Sequence, residues 1–509
     1  MKATRWSVVA LILMVFGIGL AMSVHGGEIV VATSADHTIS RWEYMGGISP
    51  YSTDIFETLV YLDPDHQPHP GLAKSWESID ELTWRLYLRD DVTFHSGAPF
   101  NAEACKLAIE AVRDQGITSF LYLNEATVVD EYTIDISTTT AFGAFPEHLS
   151  HQAVAMANFA QDADAVVPDG TGPFKYESHI PGQEVVVVKN DNYWGEAAKL
   201  DKITFQYIPE AATRVLALQG GQVDVAFDVP FESIQSLETD STIDVYIKPS
   251  GSFHYFSFVL YREPVNDVLV RKAINHAIDR DLIAEFVLEG YAEATQTMVV
   301  PQMPWSLAND PSAGYEFNQA EATRLLNAAG WSDSDGDGIL DKDGQPLSFQ
   351  IAVRTGNRPE YVPVAEAVQG MLLEVGIEVE LLAVGVGPWI SELRGDGTAA
   401  MILDYTGTGC AEGDYALSFL WHSEAWMNGN NPVLAAGEYM DTLIEMGLAE
   451  RDQETRYGIY RAIQWIIQGE AMAVPVHLRV NTAAAGAHVE DFQLWTTDAG
   501  VRWREVNVK

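Results

Sequence analysis

The longest apolar run in the sequence ends at Met22, and everything after it has to find its fold in water. Lys2 and Arg5 precede an uncharged stretch from Trp6 to Met22, and small residues follow it. A basic start, a short apolar centre and a small-residue zone make a secretory signal peptide, expected over residues 1–26 and removed on export. Ala21 and Ser23, or Val24 and Gly26, suit the −3 and −1 positions of the cut. A retained anchor is the competing reading. The run is marginal for the ~30 Å of a hydrocarbon core, and no later segment is apolar enough to span it. Cys105 and Cys410 lie far from the leader, so no lipid-modified cysteine is available to anchor the mature N-terminus. The expected product is soluble and periplasmic.

Roughly 480 mature residues exceed what one hydrophobic core organises, so two or three lobes are expected. Two cysteines form at most one disulfide, so apolar burial has to hold the lobes together. Cleavage would remove Lys2 and Arg5 and no acid, taking the formal net charge from −42 to −44. Such a surface repels nucleic acid and anionic membranes, both of them polyanions. It does not choose the ligand, which meets a local pocket rather than the mean field.

The pattern mixes strands and helices without strict alternation, an α/β chain in several lobes. "EIVVATS" (28–34) reads as a buried strand, and "TWRLYLRDDVTF" (83–94) as a half-buried one ending at the Ser96-Gly97 turn. Asn101 caps a helix striped by Ala102, Cys105, Ala108, Ile109 and Val112. "YTIDIST" and "EVVVVKND" are further strands. "DVLVRKAINHAIDRDLIAEFVLEG" (267–290) reads as one helix stopped by Gly290, and Asn318 with Glu321 opens a compact helix that Gly330 closes.

Several stretches together resemble the peptide/nickel class of ABC-importer solute-binding proteins, family 5. They are "LAKSWESIDELTWRLYLRDDVTFHSGAPFNAEA", "GTGPFKYESHIPGQEVVVVKNDNYWG", "DKITFQYIPEAATRVLALQGGQVDVAF", "VRKAINHAIDRDLIAEFVLEGYAEATQTMVVP" and "YEFNQAEATRLLNAAGW", in the family's order. The resemblance implies a periplasmic-binding-protein (Venus-flytrap) fold. Residues 27–55, 167–256 and 478–509 would form a discontinuous lobe I, 56–166 an extra domain II, and 257–477 lobe III. A ligand would be held at the closure between lobes.

The densest cluster of titratable groups early in the chain is Asp90, Asp91 and His95. With no nucleophile motif beside them, and no Gly-x-Ser-x-Gly or His-Glu-x-x-His in the chain, they read as scaffold. Asp333, Asp335, Asp337 and Asp341 in "DSDGDGILDKDG" follow calcium-loop spacing, with Gly344 where a bidentate Glu would complete it. A structural calcium is therefore one expectation and a solvated acidic turn the other; no cofactor is required. His148 and His151 would share a helix face and suit a borderline metal, though most such pairs bind nothing; His66 and His69, in a Pro-rich loop, are weaker candidates.

By resemblance, the cleft candidates are Trp42, Tyr44 and Met45 with Arg41 nearby, then Phe253, His254 and Tyr255, then Trp389 and Tyr405, and the acids Asp404, Glu412 and Asp414. Asp414 is the best positional match for the carboxylate that meets a ligand ammonium group in dipeptide-binding relatives. The arginine that would meet a ligand carboxylate is missing: Val362 and Pro363 stand there, with Arg354 and Arg358 upstream. The reading is a non-enzymatic, monomeric substrate-binding component of an ABC importer, capturing a peptide-like ligand between lobes and delivering it to a permease and ATPase. A nickel or metal-chelate binder of the same fold is the alternative, and an exported hydrolase is the rival from another class.

Overall fold

A computed structural model of the chain describes residues 27–36, 39, 52–63, 67–115, 122–160, 167–355, 360–393, 396–407, 413–423, 439–495 and 501–509. Its frame is a ten-stranded sheet. Across it run Glu378–Val384, Ser348–Arg354, Met401–Gly407, Ile243–Phe258, Ala473–Gly486, Val225–Phe227, Glu28–Thr33, Lys202–Tyr207, Glu184–Lys189 and Phe174–Ile180. The central pair are the longest strands, 16 and 14 residues. They run antiparallel from Ile243↔Gly486 to Pro249↔Val480, slip, and resume at Phe253↔Leu478. Ser250, Gly251 and Ser252 are left over at the slip. Before it, the neighbouring strand is Val225–Phe227; after it, Met401–Gly407 takes over. The two halves of the sheet therefore belong to different lobes, joined by two strands.

Apolar burial supplies a separate core on each side. The largest gathers Phe253, Ile274, Trp305, Tyr361, Trp421, Tyr460 and Val474. Another draws Ile29, Phe174, Val225, Ala483 and Trp503 from the beginning, middle and end of the chain. A third, around Phe100, Cys105, Ile109, Phe142 and Phe145, fills the region between residues 59 and 156. That region carries its own four-stranded sheet and the helix Ala102–Gln115, with Asn101 Oδ1 accepting from Ala104 N at 3.0 Å as an N-cap. Cys105 lies on its buried stripe, where burial pushes the thiol up to about 12; Cys410 lies outside the described residues.

The opening cluster around His95 holds this region in place. His95 Nδ1 accepts from Gly170 N and Nε2 donates to Gly172 O at 3.0 Å, a neutral ring used up by backbone. Asp90 meets Lys74, and Asp91 meets Arg89 through two hydrogen bonds. Beside them Glu57 is half-buried and accepts from Thr171 Oγ1, Tyr193 OH and Trp194 Nε1 at 2.8, 2.7 and 2.9 Å. At the far end Gly143 N donates to Leu448 O, and the backbone there leaves no room for a side chain.

The stretch 267–290 departs from the single-helix expectation. Helix Val268–Ala277 ends at Ile278 (φ −96°, ψ 116°), Asp279 caps a new turn at Leu282 N, and a π turn covers Ile283–Val287. Arg280 explains the break. Its buried guanidinium takes the carbonyl oxygens of Asn275, Ile278 and Pro475, two of which a continuous helix would consume. Among the described residues no helix is long and apolar enough to cross a membrane.

Candidate functional site: the cleft between the lobes

Strand direction locates the site. Glu28–Thr33, Lys202–Tyr207 and Val225–Phe227 are mutually parallel, and all three point their carboxyl ends at the slip. Ser348–Arg354, Glu378–Val384 and Met401–Gly407 are also parallel, and Gly407 pairs with Ser252 at the same slip. Two carboxyl edges therefore face each other across the two-strand connection. In open α/β sheets ligands bind beyond the carboxyl ends of the strands, so this meeting of edges is the natural cleft.

On the first edge, Ser34 Oγ bonds Asp228 Oδ2, and Asp228 takes a positive φ of 50°. Arg214 ties the edge together from behind, donating to Phe227, Asp228, Ile208 and Pro209 oxygens. Phe231, at the start of helix Phe231–Glu238, stacks on Tyr291 of the other lobe with centroids 5.5 Å apart.

The second edge is aromatic and charged. Tyr405 is half-buried, with the Arg479 guanidinium 5.8 Å from its ring. Arg354 lies 5.4 Å from the Trp389 ring, whose Nε1 donates to Leu403 O at 3.1 Å. His254 Nδ1 and His477 Nε2 are 2.9 Å apart, while His477 Nδ1 lies 3.0 Å from Leu478 O. Burial holds His477 down at about 4. His254 Nε2 faces Glu360 Oε1 at 3.8 Å, and its ring meets Tyr361 and Tyr405 edge-on at 5.1 and 6.2 Å.

Of the residues singled out from sequence, the structure brings His254, Tyr255, Trp389, Asp404 and Tyr405 together. Tyr405 alone of these is half-exposed; the other four are at most 6 % exposed and form the wall behind it. Tyr255 OH points at Asp404 Oδ2, 3.4 Å away, and burial raises the phenol well above its usual range. Trp42, Tyr44, Met45 and Glu412 lie outside the described residues, as does the side chain of Asp414, whose backbone belongs to helix Gly413–Trp421. Arg479, His477, Glu360 and Tyr361 escaped the sequence reading. An arginine inside the apolar run "VPVHLRVNT" was the one available signal.

The remaining candidates lie elsewhere. His148 is enclosed beside Phe142, with Nδ1 2.9 Å from Ala144 O. His151 Nδ1 accepts from Ala153 N, and burial holds its ring at about 3. Both serve the extra domain's interior. His69 pairs with Asp63 at 2.8 Å, and His66 lies outside the described residues. In the acidic loop, Asp333, Asp335 and Asp341 bring carboxylate oxygens within 4.8 Å of one another, whereas Asp337 is not in that group. Much of their acceptor capacity goes to the loop: Asp333 to Gly336 N and Gly338 N, Asp335 to Asp337 N, Asp341 to Ser334. Gly344 (φ 73°) turns a small hairpin.

Residues 67–428 match the family described as bacterial extracellular solute-binding proteins, family 5 Middle. The chain belongs to this family. It is the substrate-binding component of an ABC importer. The glutathione-binding protein GsiB of Salmonella paratyphi A is 27 % identical over 503 residues, covering 95 % of this chain and 94 % of the relative. The nickel-binding periplasmic protein of Escherichia coli K12 is 27 % identical over 477 residues, 88 % of this chain and 90 % of the relative. NikA from Brucella suis, solved with Fe(III)-EDTA, superposes with a TM-score of 0.87 at 25 % identity, covering 95 % of this chain and 100 % of NikA. Family-5 members of this kind are binding proteins, and the two-lobed architecture is theirs.

Proposed function

We propose that this family-5 receptor captures a small peptide-like solute between its lobes, outside the cytoplasm, and passes it to the permease as a monomer, leaving the cargo's covalent bonds untouched. The observation that carries this reading is the pair of carboxyl edges facing each other across the slip at Ser250–Ser252. Two strands with a local irregularity form a natural hinge, and a cargo that touches both edges favours the closed form. The separate apolar cores support a division into 27–55, 167–256 and 478–509 as one lobe, 257–477 as the other, and 56–166 as the extra domain. Aromatic faces beside Arg479, Arg354 and Glu360 suit a polar cargo with apolar parts, which a peptide is. The relative named for glutathione supports the same class.

Native mass spectrometry of protein released quickly from the periplasm tests it. Peptide-sized adducts that exchange without being cleaved are expected. A sugar or bare nickel adduct, or turnover of the peptide, overturns the reading. A weak calcium ion in the 333–344 loop belongs to the same proposal, supported by the three converging carboxylates. Millimolar calcium, about the range of weak extracellular sites, should raise Tm above its value in chelator. An unmoved Tm removes the ion.

A further inference from the structure

Strand alternation separates the two faces of the ten-stranded sheet. Val31, Val225, Ala483 and Ala485 turn to the cluster around Trp503, whereas Ala32, Ala226 and Ala484 turn the other way. On that second face they meet Val215 and Leu218 of helix Ala211–Gln219, and Ile234 and Leu237 of helix Phe231–Glu238. Tyr291, from beyond the slip, packs on this cluster, and its stacking partner Phe231 packs both here and on the large core. One layer of helices therefore crosses the seam between the lobes on this face.

Leu216 and Phe286 stand out of that layer on either side of the seam. At 67 % and 70 % they are the two most exposed large apolar side chains among the described residues. Leu282, 41 % exposed, lies one turn before Phe286. Glu210, Glu232, Glu238, Asp281, Glu285 and Glu289 are all exposed around them. Burial, then the charges of Glu238 and Glu289, push the Tyr291 phenol up, so acids from both sides gather at the stack. The one basic residue in 209–240 and 281–293 is Arg214, which is buried and spent on backbone carbonyls. A chain with 30 basic residues to 72 acidic ones would place more than one there by chance. Single exposed apolar residues need no partner. Two of the most exposed, on one face and rimmed by one sign of charge, have the make-up of a docking surface.

We infer that the permease meets the receptor on this face, through extracytoplasmic loops that bring basic side chains to the acids and apolar pockets to Leu216 and Phe286. The inference rests on the proposed hand-off to a permease and names the surface that performs it. Charge complementarity selects this occupant over lipid, because the same acids repel an anionic membrane surface. Leu216 and Phe286 ride on different lobes, so hinge closure resets the spacing between them. A partner that needs both in place engages the cargo-closed form in preference to the open one.

Right-side-out inner-membrane vesicles of the source bacterium, stripped of their own receptors, provide the test. The full-length mature protein carries a photo-reactive benzoylphenylalanine in place of Leu216, of Phe286 or, as a control, of the exposed Val129 in the extra domain. Mass spectrometry of the crosslinked products should identify the importer's permease subunit from the first two positions and not from the third. Leu216→Ser and Phe286→Ser should each weaken vesicle binding roughly tenfold, as loss of an apolar hot spot does, while native mass spectra keep the wild-type cargo adducts. Raising salt from about 50 mM to about 500 mM should weaken wild-type binding several-fold. Permease crosslinks as strong from position 129, serine variants that bind vesicles like the wild type, or variants that lose cargo along with vesicle binding overturn the surface and leave the receptor reading standing. A wild type that pairs in solution and is made monomeric by Phe286→Ser also overturns it, giving the face to a second copy. If the wild type binds no vesicles, the hand-off to a permease falls and the surface with it.

Discussion

Asp54 sits at φ 55° with its carboxyl enclosed, accepting from Trp503 N at 2.9 Å. Burial is the largest influence on it and outweighs Arg504, lifting it from 3.8 to about 7. In that window the folded chain holds a proton the unfolded chain has released. Asp54's share of stability is therefore fully present below about pH 4 and is lost as pH rises through about 7. Asparagine tolerates the same backbone and has no proton to lose. Between about pH 5 and about pH 8, Asp54→Asn should gain on the wild type by about 2–3 kcal/mol of unfolding free energy. Parallel stability curves would show that the carboxyl ionises normally. Only the difference between the two proteins isolates it, because His151 and His477 are held low and slope the other way: their share is lost as pH falls below the usual histidine range.

Between elements, two glycines make opposite cases. A β-carbon on Gly143 would lie 1.9 Å from Glu450 O, at the seam where Leu448 enters the extra domain's core and Arg451 reaches Asp80 O. Gly458, exposed in helix Gln453–Gly469, has open space around it. Urea unfolding should show Gly143→Ala losing about 1–3 kcal/mol through overpacking. Gly458→Ala should instead gain about 0.5–1 kcal/mol through helix propensity. Equal effects at the two positions would mean the seam is not tight.

Local signals in the sequence delivered the local elements. Asn101 and Asn318 cap the helices they were expected to cap, and "EIVVAT" and "TWRLYL" are strands. Glu321 departs from its expected part in a capping box, since its carboxylate binds Arg324 instead. What could not be read were partnerships between distant segments. Arg280 breaks a helix by reaching Pro475 O, 195 positions away. Ile243–Phe258 carries Pro249 and Gly251 in its interior, and pairing with Ala473–Gly486 carries the strand past them. In the cleft, the family resemblance marked His254 and Tyr255 as candidates, but burial, which put Glu360 rather than His254 within reach of solvent, belongs to the assembled sheet.

For the molecule as a whole, the two-strand connection between lobes sets what cargo can change. If the edges close on the ligand, small-angle scattering should record a smaller radius of gyration when a binding peptide is added and no change with a non-binder. An identical profile with bound cargo would mean that capture needs no closure. The same connection has a practical side. Ser257 pairs with Ala473, so the chain enters one half of the sheet and leaves it again at adjacent points. The whole lobe is then a cassette whose two splice points lie side by side, the arrangement that tolerates insertion and exchange best. Transplanting the corresponding stretch from another family-5 receptor at those junctions should give a folded chimera whose taste in cargo is half inherited from each parent.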